Sequence, residues 1–559
     1  MSEPGVDLAI RGGTIVDGTG REPFAADLGI ADGRVVAIER QVRATDEIDA
    51  AGRLVVPGFV DVHTHYDAQV LWDPELSPSG WQGVTTVVAG NCGFSLAPVR
   101  DAGRDVLLRT LETVEDMRLA TMRAGIEWDF ETYGEYLDAV VRRRPAINFG
   151  GYVGHTAVRV YVMGDAASER VATHDEIDEM RRVVADALER GALGFSTDRA
   201  GFVAGAGGRP VPSIIASQDE VEALMRVTAD TRRGIVHIAP GEHYQWLYDF
   251  QPTIGRTVNW SSILAYPEGA TTRASFRTKL ADHGAGRARG ADVWSQVTCR
   301  PIRQLVTLRD PAPFSSLPAF TDVLAVDPTR RDAIYADASW RARARRDLEA
   351  SSIPVRWHAC VVAESDTHTT LLGRSVQSIA DETGHDPFDV LCDVAVTDGL
   401  STRFSLTFAN DDPTEVRELL RGDGCMLGLS DAGAHVSQIC DAVMPTDFLA
   451  HWVRDRDVMP LARGVRKLTG EPAAVMGIDR GVLDVGRPAD VVVVDYDRLD
   501  PGPIRRVRDM PADGERLVAD APVGLDAIVV NGVPIRRDGI PAGGDARPGV
   551  VLRSAPTTR

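Results

Sequence analysis

Two histidines one residue apart, His63 and His65, close the apolar run Phe59-Val60-Asp61-Val62. Alternate side chains of a strand share a face, so both imidazoles point the same way and can grip one cation. A second β-rich run, Val84 to Ala89, leads into Gly90-Asn91-Cys92-Gly93. If the two strands are parallel neighbours, Cys92 arrives at the same rim as the histidines. Imidazole and thiolate are the ligands that zinc prefers. His237, within Ile235-Val236-His237-Ile238, and Asp431, after Cys425-Met426-Leu427-Gly428-Leu429-Ser430, fall at further strand ends. Singly, each has a plain explanation: surface histidines, a buried thiol, a hydrogen-bonded core histidine, a turn-capping aspartate. Together they form a metal-ligand set suited to polarising a carbonyl and activating water.

The groups are delivered by alternating helices and strands. Thr173-His174-Asp175-Glu176 reads as a capping box that opens a helix with Ile177, Met180, Val184 and Leu188 on one stripe. Leu193-Gly194-Phe195-Ser196 follows as a strand. Ser217-Gln218-Asp219-Glu220 repeats the arrangement ahead of the strand that carries His237, and a helix over 413–420 precedes Cys425. Such repeated units predict an α/β fold, a (β/α)8 TIM-like barrel with its chemistry at the carboxyl ends of the strands. An open doubly wound sheet is the competitor, but no GxGxxG follows an early strand.

Both chain ends read differently. Residues 1–57 are short strands separated by Gly12-Gly13, Asp17-Gly18 and Asp32-Gly33, and Ala489 to Val494 and Ala527 to Gly532 are strands beside turn residues. The expected division is a small β-sandwich from 1–57 and 480–559 around a barrel over 58–479. A segment near 265–350 breaks the rhythm with Pro311, Pro313, Pro318, Ser315-Ser316 and an Arg-rich helix from Arg341 to Leu348. It reads as an insertion, either a cover over the active site or a surface excursion.

Composition narrows the function. With 559 residues, 44% of them hydrophobic, the chain holds a catalytic body and an accessory domain. A net charge of −20 without any basic cluster argues against nucleic acid. No apolar run reaches spanning length, and MSEPGVDLAIRGG lacks the charged and apolar regions of a secretory signal. The six cysteines are scattered without CxxC spacing, as reduced thiols are. A cytoplasmic protein with a small-molecule substrate, no nucleic-acid partner and no membrane is the expectation. The cations are almost all arginine, Lys279 and Lys467 being the only two lysines.

Seven runs carry a resemblance: Gly12 to Gly18, the Pro57–His65 stretch, Asn91-Cys92-Gly93-Phe94-Ser95, Gly154-His155, Gly194-Phe195-Ser196-Thr197, Ser430-Asp431-Ala432-Gly433 and Gly486-Arg487-Pro488-Ala489-Asp490. The chain resembles the amidohydrolase superfamily, and within it the D-aminoacylase or N-acyl-D-amino-acid deacylase group. The resemblance implies a barrel beside a β-sandwich built from both ends. It implies that His63 and His65 bind one metal, that Cys92 is a ligand able to bridge two, and that His237 binds the second. Asp431 would be the general base and a further ligand, and His155 would lie near the substrate. Many amidohydrolases bridge their metals with a carboxylated lysine. Neither Lys279 nor Lys467 is placed for that role, which leaves Cys92 as the bridge.

The chain also departs from the family. Members carry another histidine ligand on the strand after His237, followed by a lysine for the substrate carboxylate. Val258-Asn259-Trp260-Ser261-Ser262-Ile263-Leu264 has neither, and His243 or His283 would have to stand in. Zinc, or another divalent metal, is therefore expected as one or two ions, with His63, His65 and Asp431 sufficient for one. Arg159, Arg199 and Arg300 are candidate partners for a substrate carboxylate. The expected reaction is hydrolysis of an amide C–N bond, of an N-acyl (D-)amino acid or similar small molecule. A cyclic amide, carbamate or ester is the alternative bond, and a barrel without catalysis is the alternative class.

Overall fold

The computed structural model describes residues 5–201, 205, 209–267, 270, 274–314, 317–351, 355–543 and 546–556. Ser315-Ser316, part of the expected insertion, lies outside them. Eight parallel strands make one curled sheet: β1 (Phe59–Asp61), β2 (Val84–Ala89), β3 (Asn148–Gly154), β4 (Gly194–Asp198), β5 (Ile235–Ala239), β6 (Val258–Trp260), β7 (Val293–Val297) and β8 (Cys425–Leu427). Their order in space follows their order in the chain. β2 and β3 are buried at every residue, as strands covered on both faces must be.

The sheet closes at its rim. Thr64 and Ala432 form a parallel bridge just beyond the ends of β1 and β8. There the His65 N–H donates to the Ala432 carbonyl at 2.8 Å, and the Ser430 hydroxyl to the His63 carbonyl at 3.1 Å. Gly433 makes this approach possible: its φ is +88°, and a Cβ there would sit 2.8 Å from the His65 backbone.

Helices α1 (Arg104–Glu115), α2 (His155–Met163), α3 (His174–Glu189), α4 (Gln218–Asp230), α5 (Phe276–Ala288) and α6 (Pro413–Arg421) are among those around the sheet. The capping box at Thr173 and Glu176 forms in both directions. At Ser217 only half of one forms. The serine hydroxyl accepts from the Glu220 N–H at 3.2 Å, while the Glu220 carboxylate turns inward to other partners.

Strands from both chain ends share a sheet. Val491–Val494 lies between Leu54–Pro57 and Leu525–Val530, antiparallel to both. A four-stranded sheet from the first fifty residues packs on it through Leu8, Ile10, Leu28 and Ile30 against Val55, Val491, Val493 and Val529.

The departure from barrel rhythm falls later than near 265–350. α5 and β7, which lie in that range, belong to the barrel. The excursion runs from Ile302–Val306 to Arg403–Ala409, two antiparallel strands joined in one sheet with Val361–Glu364. It has its own core of Val306, Phe320, Trp340, Phe388 and Phe404. The helix expected over 341–348 is Ala338–Glu349. Proline and arginine content marked the irregular first half of this segment; the pairing that defines its extent is non-local and leaves no such trace.

Candidate metal centre

β1 releases the chain so that His63 and His65 both turn to the mouth of the sheet, their ring centroids 5.4 Å apart. β2 ends in a turn where Gly90 (φ +77°) lies against the Tyr152 carbonyl, and Cys92 itself is left-handed at φ 54°. His237, mid-strand in β5, brings its ring within 5.2 Å of His63. Asp431 follows β8, left-handed at φ 46°. Two non-glycine residues held at positive φ cost of order 1–3 kcal/mol each, a strain that proteins keep where a side chain must be aimed.

His63 is the hub. Its Nε2 lies 3.1 Å from Asp431 Oδ1 and 3.4 Å from Cys92 Sγ. His65 Nε2 is 3.8 Å from the same Asp431 oxygen. Two trios result, His63–Cys92–His237 and His63–His65–Asp431, each with its ligand atoms within 4.8 Å of one another. The Nδ1 nitrogens are treated unequally. His63 Nδ1 meets Gln296 Oε1 at 2.5 Å, and His65 Nδ1 faces Glu115 Oε1 at 3.1 Å. His237 Nδ1 is buried without a hydrogen-bond partner.

The electrostatics favour a cation. Burial, then the neighbouring His63, pushes His65 down to about 3, and the same causes hold His237 well below the usual histidine range. Both rings are therefore neutral, the form that ligates metal. Burial pushes the Asp431 carboxyl up, but His63, His65 and His435 outweigh it and hold the group far below the ordinary carboxylate range. Burial raises Asp67 and Asp198 to about 7 and drives Glu115 well above its usual value. Among the described residues, neither Asp67 nor Glu115 has an arginine or lysine within ion-pairing distance. His63 goes the other way: burial opposes its charge, but Cys92 and Asp431 outweigh that and hold it well above the usual histidine range, so a divalent ion there would displace its proton. Three imidazoles, a thiol, an ionised carboxylate and unmatched buried acids are a donor set that fits a divalent ion of the zinc type. Asp431 and Cys92 are the partly exposed members; the Asp431 side chain is 23% exposed against 1% for His63.

Other expected site residues go elsewhere. His155, expected near the substrate, is wholly buried at the start of α2. Its Nδ1 meets Thr197 Oγ1 at 2.8 Å and its Nε2 meets Glu220 Oε1 at 2.9 Å, so neither nitrogen is left for a ligand. Arg159, one turn on, is also fully buried, and its guanidinium is taken up by Glu220 and by the Ala167 and Arg170 carbonyls. Arg300 is held by Asp441 at 3.1 Å and Asp447 at 3.2 Å. Arg199, just past β4, is half-buried and donates to the Ala216 carbonyl. Of the possible stand-ins, His283 bonds Tyr248 and the Gly424 carbonyl, and His243 is exposed. Ser261 instead approaches His237 Nε2, at 3.5 Å. Glu115 and Gln296 were not legible, since neither stands in a motif; only their burial against the two histidines reveals them.

The chain is similar to known proteins over most of its length. The model of the family described as "Amidohydrolase family" matches residues 46–534. N-acyl-D-glutamate deacylase of Alcaligenes xylosoxydans xylosoxydans is 31% identical over 98% of this chain and 96% of its own. The crystal structure of N-acyl-D-glutamate deacylase from Bordetella bronchiseptica, complexed with zinc and a phosphonate mimic of the tetrahedral intermediate, superposes with a TM-score of 0.69. It is 28% identical and covers 98% of this chain and 100% of that one. A D-aminoacylase whose binuclear metal centre is described by one-metal activation and second-metal attenuation gives a TM-score of 0.67 at 25% identity, over 98% and 100% of the two chains. With its trios of imidazole, thiol and carboxylate at the rim of a parallel barrel, this chain belongs to the amidohydrolase family, in the group of the N-acyl-D-amino-acid deacylases.

Proposed function

We propose that the chain is a zinc-dependent deacylase that hydrolyses the amide C–N bond of an N-acyl amino acid. The observation that carries this reading is the Asp431 carboxylate, ionised, partly exposed and 3.1 Å from the buried His63 Nε2. A divalent ion held by His63, His65 and Asp431 supplies Lewis acidity, polarising the scissile carbonyl and acidifying water. Asp431 accepts the proton of the attacking water and returns it to the leaving nitrogen. Gln296 and Glu115 stand at the Nδ1 sides of His63 and His65, which leaves Nε2 of each ring facing the place where an ion would be held.

His63 offers the same Nε2 to both trios, and one imidazole nitrogen ligates one ion. Only one trio can therefore be complete at a time, which supports a single tightly held ion. Arg199 is the arginine best suited to a substrate carboxylate, since buried carboxylates already engage Arg159 and Arg300. The deacylase relatives support an N-acyl-D-amino acid as the substrate class. All six cysteines are free thiols, in keeping with a reducing, cytoplasmic setting. No helix among the described residues is long and apolar enough to cross a membrane.

The test is turnover of paired N-acyl-D- and N-acyl-L-amino acids by zinc-loaded and chelated protein. Release of free amino acid from the D-series by the loaded form alone is expected. A loaded protein inert towards every N-acyl amino acid would defeat the proposal.

A further inference from the structure

Glu115 is a residue that stability alone does not explain. It is the last residue of α1, where the helix dipole is negative and a carboxylate is disfavoured. Only 4% of its surface is exposed. No arginine or lysine among the described residues pairs with it. Its Oε1 has no hydrogen-bond partner that meets ordinary geometry, and neither does the His65 Nδ1 that it faces at 3.1 Å. The acid is thus held in an unfavourable place, aimed at the outer nitrogen of one histidine.

We propose that Glu115 is a positioning residue that orients His65 and sets how tightly the ion at His63–His65–Asp431 is held. The inference rests on the metal-dependent reading above. A carboxylate that takes the Nδ1 proton fixes the His65 tautomer with Nε2 as the free lone pair, and it raises the basicity of that nitrogen. His63 receives the weaker version of the same support from the neutral Gln296.

Zinc affinity of the full chain, measured by competition with a chromophoric chelator, tests this alongside the melting temperature of the metal-free protein. The variants are Glu115→Gln and Glu115→Ala, with wild type as reference. Affinity should fall about 10- to 100-fold in Glu115→Ala and by less in Glu115→Gln, whose amide oxygen can still face Nδ1. The metal-free variants should melt at or above wild type, because an unmatched buried acid has been removed. A residue that is merely structural would move the two readouts the other way: lower melting, unchanged affinity. Both variants binding zinc within twofold of wild type would overturn the inference and leave the metal-dependent reading intact. A wild type that retains no ion would remove that reading, and this inference with it.

Discussion

Asp431 Oδ1 stands 3.1 Å from His63 Nε2, joining the two strands at opposite edges of the barrel sheet. The contact places an ionised, partly exposed carboxylate beside a nitrogen that is otherwise wholly enclosed. Asp431→Asn keeps the volume and removes the base. Its kcat should fall by about 10²- to 10⁴-fold, the usual worth of a positioned general base. Steady-state rates, with zinc content determined on the same sample, check this; a variant within tenfold of wild type at equal zinc content excludes the role.

Because His63 serves both trios and His237 only one, the loss of each should differ in what it does to metal content. His63→Ala is expected to empty both trios, leaving less than a tenth of an equivalent after dialysis. His237→Ala leaves His63, His65 and Asp431 intact and should keep about one equivalent, since three protein ligands are enough for a catalytic zinc site. Elemental analysis of the dialysed proteins decides it, and equal loss in both would show that the trios are not separable.

The buried network of His155, Arg159 and Glu220 should matter to the fold and not to the ion. Glu220 is lowered from the usual carboxylate range although burial opposes this, because His155 and Arg159 bond and attract its charged form. Glu220→Gln leaves the Arg159 guanidinium enclosed without its counter-charge, a change that costs about 3–5 kcal/mol in comparable buried pairs. Denaturation should report that loss while zinc stoichiometry stays at the wild-type value. A stable variant that had lost zinc would reverse the assignment.

Asp116, next to Glu115, supplies a pH dependence. Its carboxylate receives the Ser437 N–H at 3.0 Å and the Ser437 hydroxyl at 2.6 Å, yet burial still raises it to about 7. The folded pKa lies above an unfolded value of about 3.9, so the native state holds the extra proton. Stability is greatest at low pH by this group and declines as pH rises from about 4 through 7. Asp116→Asn should remove that decline. Between pH 5 and pH 8 the variant is expected to lose on the order of 2 kcal/mol less than wild type. Parallel denaturant titrations at the two pH values measure it, and identical losses would refute it.

Much of the centre could be read before the fold was seen. His63 and His65 were legible because strand alternation alone puts them on one face, and Cys92, His237 and Asp431 because each ends or interrupts a run of strand residues. His155 and Arg159 misled for a physical reason. A charged group beside a strand end looks the same in sequence whether it turns to the mouth or is sealed against a second charge. Glu220, the charge that seals them, was masked as the far end of a capping box. Glu115 and Gln296 carry no pattern at all: one ends an ordinary amphipathic helix and the other sits inside an apolar strand. Their meaning comes only from the long-range packing that puts them against imidazoles.

The seam at Thr64 and Ala432 has a consequence for how the protein is born. A chain emerging from the ribosome exposes its first histidines hundreds of residues before the partner that latches the sheet around them. Until Ser430 to Gly433 arrive, the early strands have an open edge and the ligands have no enclosure. Maturation of the centre and the last step of barrel assembly are therefore a single event, and a nascent chain stopped short of that seam would carry the ligands without the vessel.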